Sequence, residues 1–585
     1  MYTVENCSKG LTMKTVNGTF KSFDNEALYY REWEHQVEPN GRILIILHRG
    51  HEYSGRLENI AAKSEFAGYK IFSYDNRGHG DTEAEASYEF MHFVRDLDAF
   101  VSFVCAKEGK KQEDIFIIAN SVAGVTVSTW VHDYAPKVRG VALIAPAFEI
   151  KLYFPFAKSF LKLAVKMKPT LNIKSYVKSK LLTHDVEEQK RYDEDTLITP
   201  HIPASQLTTL LDTAQRVVKD AETIVTPMII LSATKDYVVK RGAQGDFYAK
   251  LSSSLKRFVK LEGFYHGVLY ETEHQKAITE IASFMEECYC QDAPSRLNEV
   301  IHVTQKEKDL IAFGTLPLWK AVSFLAQRFM MNKLGFMSDG MKIGLKYGFD
   351  SGVTLDHVYK NEPSGLTWVG KILDKNYLES IGWKGIRQRK INMIAATKSK
   401  IALLQEQGEK VCILDIAGGP ARYLIEIAEA YPEVEIQVRD YQEQNVEEGR
   451  VLAKERNLSN ITYVQSDAFD ASNYDTEGYR PNIVIISGVF ELFENNDLIG
   501  VAMDGVSSII QDEGYLLYTG QPWHPQLEQI ANVLGNHQQE KWIMRRRSQY
   551  ELDTLFTQRG FEKECMSIDD WGIFTVSSSK YIKVK

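Results

Sequence analysis

The stretch Asp114-Ile115-Phe116-Ile117-Ile118-Ala119-Asn120-Ser121-Val122-Ala123 decides the fold. Ile115 to Ala119 are apolar and mostly β-branched or aromatic, which suits a strand buried on both faces. Asn120-Ser121-Val122 then has to turn sharply, and Ala123-Gly124-Val125-Thr126-Val127 can continue as helix. A serine on a strand-to-helix turn, with very small side chains two residues to either side, is the pattern of a nucleophile elbow. Here alanines, Ala119 and Ala123, hold the flanking positions where glycines are usual.

The same strand-helix alternation extends to both sides. Upstream, the run Arg42–His48 is a buried strand ending in the polar loop His48–Arg56; a helix follows over Leu57–Ala67, then a strand over Tyr69–Tyr74 and a turn, Asp75-Asn76-Arg77-Gly78-His79-Gly80. Downstream, strands are expected over Gly140–Ala145, Pro227–Ala233 and Arg257–Leu261. The pattern predicts an α/β fold with a mostly parallel sheet and helices on both faces. Ser121, Asp236 and His266 each follow a strand, so all three project from one sheet edge, in the chain order α/β hydrolases use. A serine hydroxyl is a poor nucleophile until a base takes its proton, and the base needs an acid to fix its tautomer. The developing oxyanion needs two N–H donors. The backbone amides of Val122 and Gly50 are assigned to it.

His48-Arg49-Gly50-His51-Glu52-Tyr53-Ser54-Gly55-Arg56 resembles the H-G-x-G-E-x-S-x-R loop of monoacylglycerol lipases and lysophospholipases. Asp75 to Gly80 is similar to their D-x-R-G-H-G turn, and Leu182-Thr183-His184-Asp185 followed by Tyr192 to Ile198 to the L-T-H-D…Y…D-P-L-I stretch of their lid. The resemblance covers residues 15–288 and implies an α/β-hydrolase fold with a helical lid over 150–215, hydrolysing a monoacylglycerol or lysophospholipid-like ester. Arg49 stands where that family has glycine, and could either distort the oxyanion donor or bind a lipid phosphate. In the lid, Tyr153-Phe154-Pro155-Phe156, Phe160 and Leu163 are interleaved with Lys151, Lys158, Lys162 and Lys166. That pattern fits an anionic lipid surface, or equally a solvated lysine face over a packed stripe.

A second alternation begins at the strand Lys410–Asp415, followed by the small-residue turn Ile416-Ala417-Gly418-Gly419-Pro420-Ala421. A glycine-rich first βα turn lets a ligand approach backbone and helix N-terminus. The next strand ends at Asp440, 21 residues after Gly419, the distance at which an acid can grip ribose hydroxyls. Two further strands end at Ser466-Asp467-Ala468 and at Ser487-Gly488. These details resemble class I S-adenosylmethionine-dependent methyltransferases, with a doubly wound sheet and a helical N-terminal extension. The resemblance assigns the cofactor to Asp415, Ala417, Gly418, Gly419, Asp440, Tyr441, Asp467, Ala468 and Ser487. Alanine at 417 and 421 permits cofactor approach if its φ stays negative. Residues 300–409 are helical and rich in methionine and tryptophan, forming a lid over cofactor and acceptor or an interdomain packing layer. Arg387 or Arg389 is available there to a carboxylate or phosphate, while Arg545-Arg546-Arg547 reads as a solvated face.

At 585 residues the chain exceeds one core. The expected division is 1–290, a linker and helical extension over 291–409, and 410–585. A net charge of −9 gives nucleic-acid binding no electrostatic support. The six cysteines, Cys7 among them, are scattered, with no metal-ligand spacing, and read as structural thiols of a reducing compartment. The whole resembles a bacterial fusion of an α/β hydrolase with a class I methyltransferase. It implies a cytoplasmic bifunctional enzyme of a small-molecule or lipid substrate, with peripheral membrane contact through the lid and the oligomeric state left open. The alternative is a methyltransferase carrying a catalytically inactive, hydrolase-like lipid-binding module.

Overall fold

The computed structural model describes residues 12–83, 88–154, 156–474 and 478–583. The chain divides into two units, Met1–Arg296 and Leu297–Lys585. Cys7 and Pro155 lie outside the described residues, and no disulfide links the described cysteines.

The strands of the first unit are β1 (Met13–Lys21), β2 (Ala27–His35), β3 (Ile43–Leu47), β4 (Lys70–Tyr74), β5 (Ile115–Asn120), β6 (Gly140–Ile144), β7 (Asn172–Lys174), β8 (His201–Pro203), β9 (Met228–Ala233) and β10 (Lys256–Leu261). Eight of them form one sheet in the order β1-β2-β4-β3-β5-β6-β9-β10, and β7 and β8 make a small hairpin of their own. The β1–β2 and β2–β4 pairs are antiparallel, and the pairs from β4 through β10 are parallel. Every residue of β3, β5, β6 and β9 is buried, as central parallel strands covered on both faces must be. The helix expected over Leu57–Ala67 is broken. It consists of 3-10 turns at Ser54–Leu57 and Ser64–Phe66 around one α-turn at Glu58–Ala61. Leu57, Ile60, Ala61 and Phe66 are all buried there, so core contacts rather than helical periodicity set the path.

One buried charge cluster ties the elbow helix, Val122–Tyr134, to the helix Ala204–Lys219. His132 lies between Asp133 Oδ1 (2.6 Å) and Asp220 Oδ2 (2.7 Å), and Arg216 forks onto Asp133 at 2.6 and 2.8 Å. Burial alone would lower the imidazole pKa, but the two carboxylates outweigh it and hold it above its ordinary value. A raised imidazole contributes stability that is complete below its unfolded value, about 6.5, and is lost as pH rises through the folded one. Urea unfolding across that window should therefore show stability falling with pH, and His132→Gln should flatten the slope. An unchanged slope would contradict the assignment.

The second unit contains β11 (Cys412–Ile416), β12 (Glu435–Asp440), β13 (Ile461–Gln465), β14 (Ile483–Ile486), β15 (Tyr515–Gly520), β16 (Phe561–Ile568) and β17 (Thr575–Tyr581). Their order is β13-β12-β11-β14-β15-β17-β16, with β17 antiparallel to both neighbours and the others parallel. The winding reverses between β11 and β14, which opens a crevice at the strand ends where α/β sheets bind ligands. Helices Leu297–Phe313, Leu318–Leu334, Asp339–Tyr347, Gly352–Lys360, Trp368–Leu378 and Ile381–Glu406 precede the sheet. No single helix among the described residues is long and apolar enough to cross a membrane.

Arg545-Arg546-Arg547 is not a solvated face. All three side chains are buried. Arg547 donates to the carbonyls of Phe490 and Phe493, Arg545 to the carbonyl of Glu494 (3.0 Å) and to Glu551 (2.7 Å), and Arg546 to the carbonyl of Pro522 (2.7 Å) and to Glu307. Loop carbonyls and two carboxylates take the place of water.

Candidate functional site

At the end of β5 the chain enters the elbow with Ser121 at φ 51° and ψ −107°, a conformation that L residues rarely hold and that functional turns do hold. Ser121 donates its amide to the carbonyl of Ile144 on β6 (2.9 Å), which pins the turn. Gly124, one position beyond the expected small residue, is where bulk is forbidden: a Cβ there would lie 2.8 Å from Pro146 Cβ. His266 Nε2 stands 2.8 Å from Ser121 Oγ, and His266 Nδ1 stands 2.7 Å from Asp236 Oδ2. The other carboxylate oxygen of Asp236 accepts the amides of Val238 (2.7 Å) and Val239 (2.9 Å). Burial would raise the Asp236 pKa, but the facing imidazole and these amides hold it below the usual carboxylate range. Gly50 faces the elbow, since a Cβ on it would come within 3.1 Å of Val122 Cγ2.

Arg49 is turned toward Glu52 and Tyr270: its buried guanidinium pairs with Glu52 at 2.7 Å and lies over the Tyr270 ring. His48 donates from Nδ1 to the carbonyl of Arg49 (2.8 Å) and accepts the amide of Asn76 at Nε2 (3.1 Å), an arrangement only the neutral ring allows. Burial holds its pKa below the ordinary imidazole value in agreement. The expected lid is tied to this machinery: Arg56 bridges Glu52 to Glu188 and Asp195, and Leu182 accepts the amide of Gly267, next to His266, at 2.7 Å. His184 bonds Glu271 at 3.0 Å and packs on Tyr265. The L-T-H-D string therefore braces the histidine loop. Lys158 and Lys162 pair with Asp212, while Phe154, Phe156, Phe160 and Leu163 are exposed.

In the second unit, the turn after β11 brings most of the expected residues together. Gly418 has no room for a side chain, because a Cβ would lie 2.3 Å from Asp415 Oδ2. Gly419 donates its amide to Asp440 Oδ2 (2.8 Å), and Asp440 also accepts from Gln442 (2.9 Å) and Asn445 (3.0 Å). Burial pushes the Asp415 carboxyl up to about 8, although Tyr423 donates its hydroxyl at 2.8 Å, and Asp415 Oδ1 has no hydrogen-bond partner. Ala417 and Ala421 adopt φ of 54° and 48°, so the condition of negative φ set for cofactor approach past alanine is met at neither. The turn imposes the left-handed form on both, at about 1–2 kcal/mol each for an L residue. Tyr441 is exposed, whereas Asp467, Ala468 and Ser487 are half-buried at the ends of β13 and β14. Tyr423 and Asn445 went unrecognised in the sequence, since neither falls in a motif. Among the described residues no group of three or more His, Cys, Asp or Glu side chains could hold a metal ion.

A cavity of about 630 Å³ opens beside Gly488, lined mainly by apolar groups such as Met331, Met341, Trp383 and Phe574. Gln521 and His524, just past β15, are among its polar lining residues. Arg389 reaches it too, but is paired with Glu491 at 3.3 Å and stacked on Phe574. Arg387 donates to the carbonyl of Leu378 (3.0 Å). Arg389 is thus paired, while Arg387 keeps its buried Nη1 without a hydrogen-bond partner.

A parallel sheet that delivers a serine elbow, an aspartate and a histidine to one edge is an α/β-hydrolase fold, here followed by a doubly wound α/β unit. The chain belongs to the methyltransferase family whose model, described as "Putative methyltransferase", matches residues 281–581, and to the family of the Escherichia coli "Uncharacterized protein YnbC", to which it is 39% identical over 95% of its own length and 97% of that protein's. A second family model, "Serine aminopeptidase, S33", matches residues 38–273. Rat "Monoglyceride lipase" is 25% identical over 42% of this chain and 80% of its own. The crystal structure of Paleococcus ferrophilus monoacylglycerol lipase has a TM-score of 0.41 and 22% identity, covering 45% of this chain and 99% of that one.

Proposed function

We propose that the protein is a bifunctional enzyme: a serine hydrolase of a monoacylglycerol or lysophospholipid-like ester, and an S-adenosylmethionine-dependent methyltransferase. The hydrolase reading is carried by the continuous relay from Asp236 through His266 to Ser121 Oγ, at 2.7 and 2.8 Å. Ser121 attacks the ester carbonyl while His266 Nε2 takes its proton, and the amides of Gly50 and Val122 receive the oxyanion. His266 then protonates the leaving alkoxide, and water repeats the sequence on the acyl-enzyme. The rival reading, a silent lipid-binding module, draws on Arg49, whose Nη1 would meet a Cβ on Gly267 at 2.4 Å, beside His266.

For the second unit, a glycine turn beside the carboxylate of Asp440 suits a hydroxyl-bearing ligand, as S-adenosylmethionine is. Asp440 would hold the ribose hydroxyls, Asp467 and Ala468 the adenine side, and Gly418 and Gly419 the backbone approach. Bound there, the cofactor supplies an electrophilic methyl group. The protein's own part is to hold the acceptor in the cavity beside Gly488, in line and away from water. Calorimetric titration with S-adenosylmethionine tests this. Wild type should bind, and Asp440→Ala should weaken binding about 10–100-fold by removing charged hydrogen bonds. Absence of binding to wild type would end the cofactor reading.

A further inference from the structure

The helix Leu318–Leu334 is apolar on two sides at once. Its inner side, including Ser323, Ala326, Gln327 and Met331, walls the 630 Å³ cavity. Its outer side carries Leu318, Trp319, Val322, Leu325 and Phe329, each more than half exposed. The preceding helix, Leu297–Phe313, adds Leu310 and Phe313 to the same exposed set. A water-soluble surface rarely leaves so much contiguous apolar area open without an occupant. The charges nearby select among occupants: from Leu310 to Ser338 the chain contains Lys320, which pairs with Glu528, then Arg328 and Lys333, and no acidic residue of its own. An apolar face flanked by Arg328 and Lys333 complements an anionic lipid interface. The pair Leu297–Phe313 and Leu318–Met337, bent by 69° at the break between them, is together long and apolar enough to enter a membrane, by length and composition, which no single described helix is.

The far wall of the cavity supplies the second half of the argument. Gln521 and Trp542 line it, and Gln521 Nε2 and Trp542 Nε1 are buried without a hydrogen-bond partner, as is Asp350 Oδ1 on the same lining. His524 accepts the amide of Gln526 at Nδ1 (3.1 Å), and burial lowers its pKa to about 3, so the neutral ring carries its proton on Nε2. The polar lining therefore sets donors on Gln521, Trp542 and His524 beside the carboxylate of Asp350, all facing an apolar chamber. Its complement is a long hydrocarbon chain with an oxygen-bearing head.

We infer that helix Leu318–Leu334 seats the second unit in an anionic membrane surface and admits a single-chain, oxygen-headed lipid into the cavity behind it as the methyl acceptor. The assignment of acceptor rests on the methyltransferase reading; the membrane contact and the lipid site do not.

The test uses the full chain, in flotation with vesicles of phosphatidylcholine alone or mixed with phosphatidylglycerol, and in solution with the fluorescent fatty acid cis-parinarate. Wild type should float with the mixed vesicles and bind the probe. Replacing the exposed Trp319, Leu325 and Phe329 together by aspartate should cut flotation by about tenfold or more while probe binding stays. Ala326→Trp, which fills the cavity from inside, should abolish probe binding and leave flotation intact. Flotation unchanged in the triple variant would move the contact to the Phe154–Met167 region and overturn the proposal. So would a wild type that floats with neither vesicle, which would make the face a protein contact. Titration with S-adenosylmethionine in the same samples separates the two readings. Lipid binding without cofactor binding would remove the methyltransferase assignment alone, and cofactor binding without lipid binding would remove this inference alone.

Discussion

Ser121→Ala should lower kcat for hydrolysis of a monoacylglycerol by about 10⁴-fold or more, with the thermal midpoint almost unchanged. The hydroxyl is the only group lost, and its bond to His266 Nε2 at 2.8 Å is part of a buried relay whose remaining members keep their partners. Asp236 still faces His266 and still accepts the amides of Val238 and Val239. Combining Ser121→Ala with His266→Ala should cost little beyond either alone, because the two act as one unit. Labelling by a fluorophosphonate should vanish in the single variant. If wild type turned over no ester and took no label, yet bound monoacylglycerol, the silent-module reading would replace the hydrolase.

How far the site can be read from sequence depends on whether chain order carries it. Ser121, Asp236 and His266 are legible because each must fall just past a strand, and strands announce themselves as runs such as Ile115–Ala119. Gly418, Gly419 and Asp440 are legible for the same reason, by their spacing after a buried strand. What sequence hid is set by contacts between distant segments. Gly124 matters because Pro146 presses on it, and the place of Arg49 is set by Glu52 and Tyr270. The sign of φ at Ala417 and Ala421 follows from the closure of a turn, which residue type alone does not reveal. The cavity is assembled from helices and loops more than two hundred residues apart, from Ser323 to Phe574, with no motif among them.

The arginine run is the case where local reading failed most completely, and it carries the second large prediction. Three consecutive cations are ordinarily solvated, since burying an unpaired charge costs several kcal/mol. Here the cost is offset by a carboxylate close in sequence, Glu551, and by carbonyls some fifty residues away. Glu551 is wholly buried, 2.7 Å from Arg545 and 3.7 Å from Arg547, and also accepts from Thr304 (3.1 Å) and Asn496 (2.8 Å). Arg547 in turn holds the carbonyls of Phe490 and Phe493, and the amide of Arg545 holds that of Glu491 (3.1 Å). The segment so fixed follows β14 and supplies Gly488, Glu491 and Leu492 to the cavity wall. Glu551→Ala should therefore leave two buried guanidinium groups without their shared counter-charge and destabilise the second unit by about 3–5 kcal/mol. In urea, the full-length variant should lose the second unit's transition early while ester hydrolysis by the first unit persists to its normal midpoint. Glu551→Gln keeps the volume and the neutral hydrogen bonds but not the charge, so it should recover only part of the loss. A loss below about 1 kcal/mol in the alanine variant would mean the carbonyls alone satisfy the arginines, and that the carboxylate is incidental to the wall it adjoins.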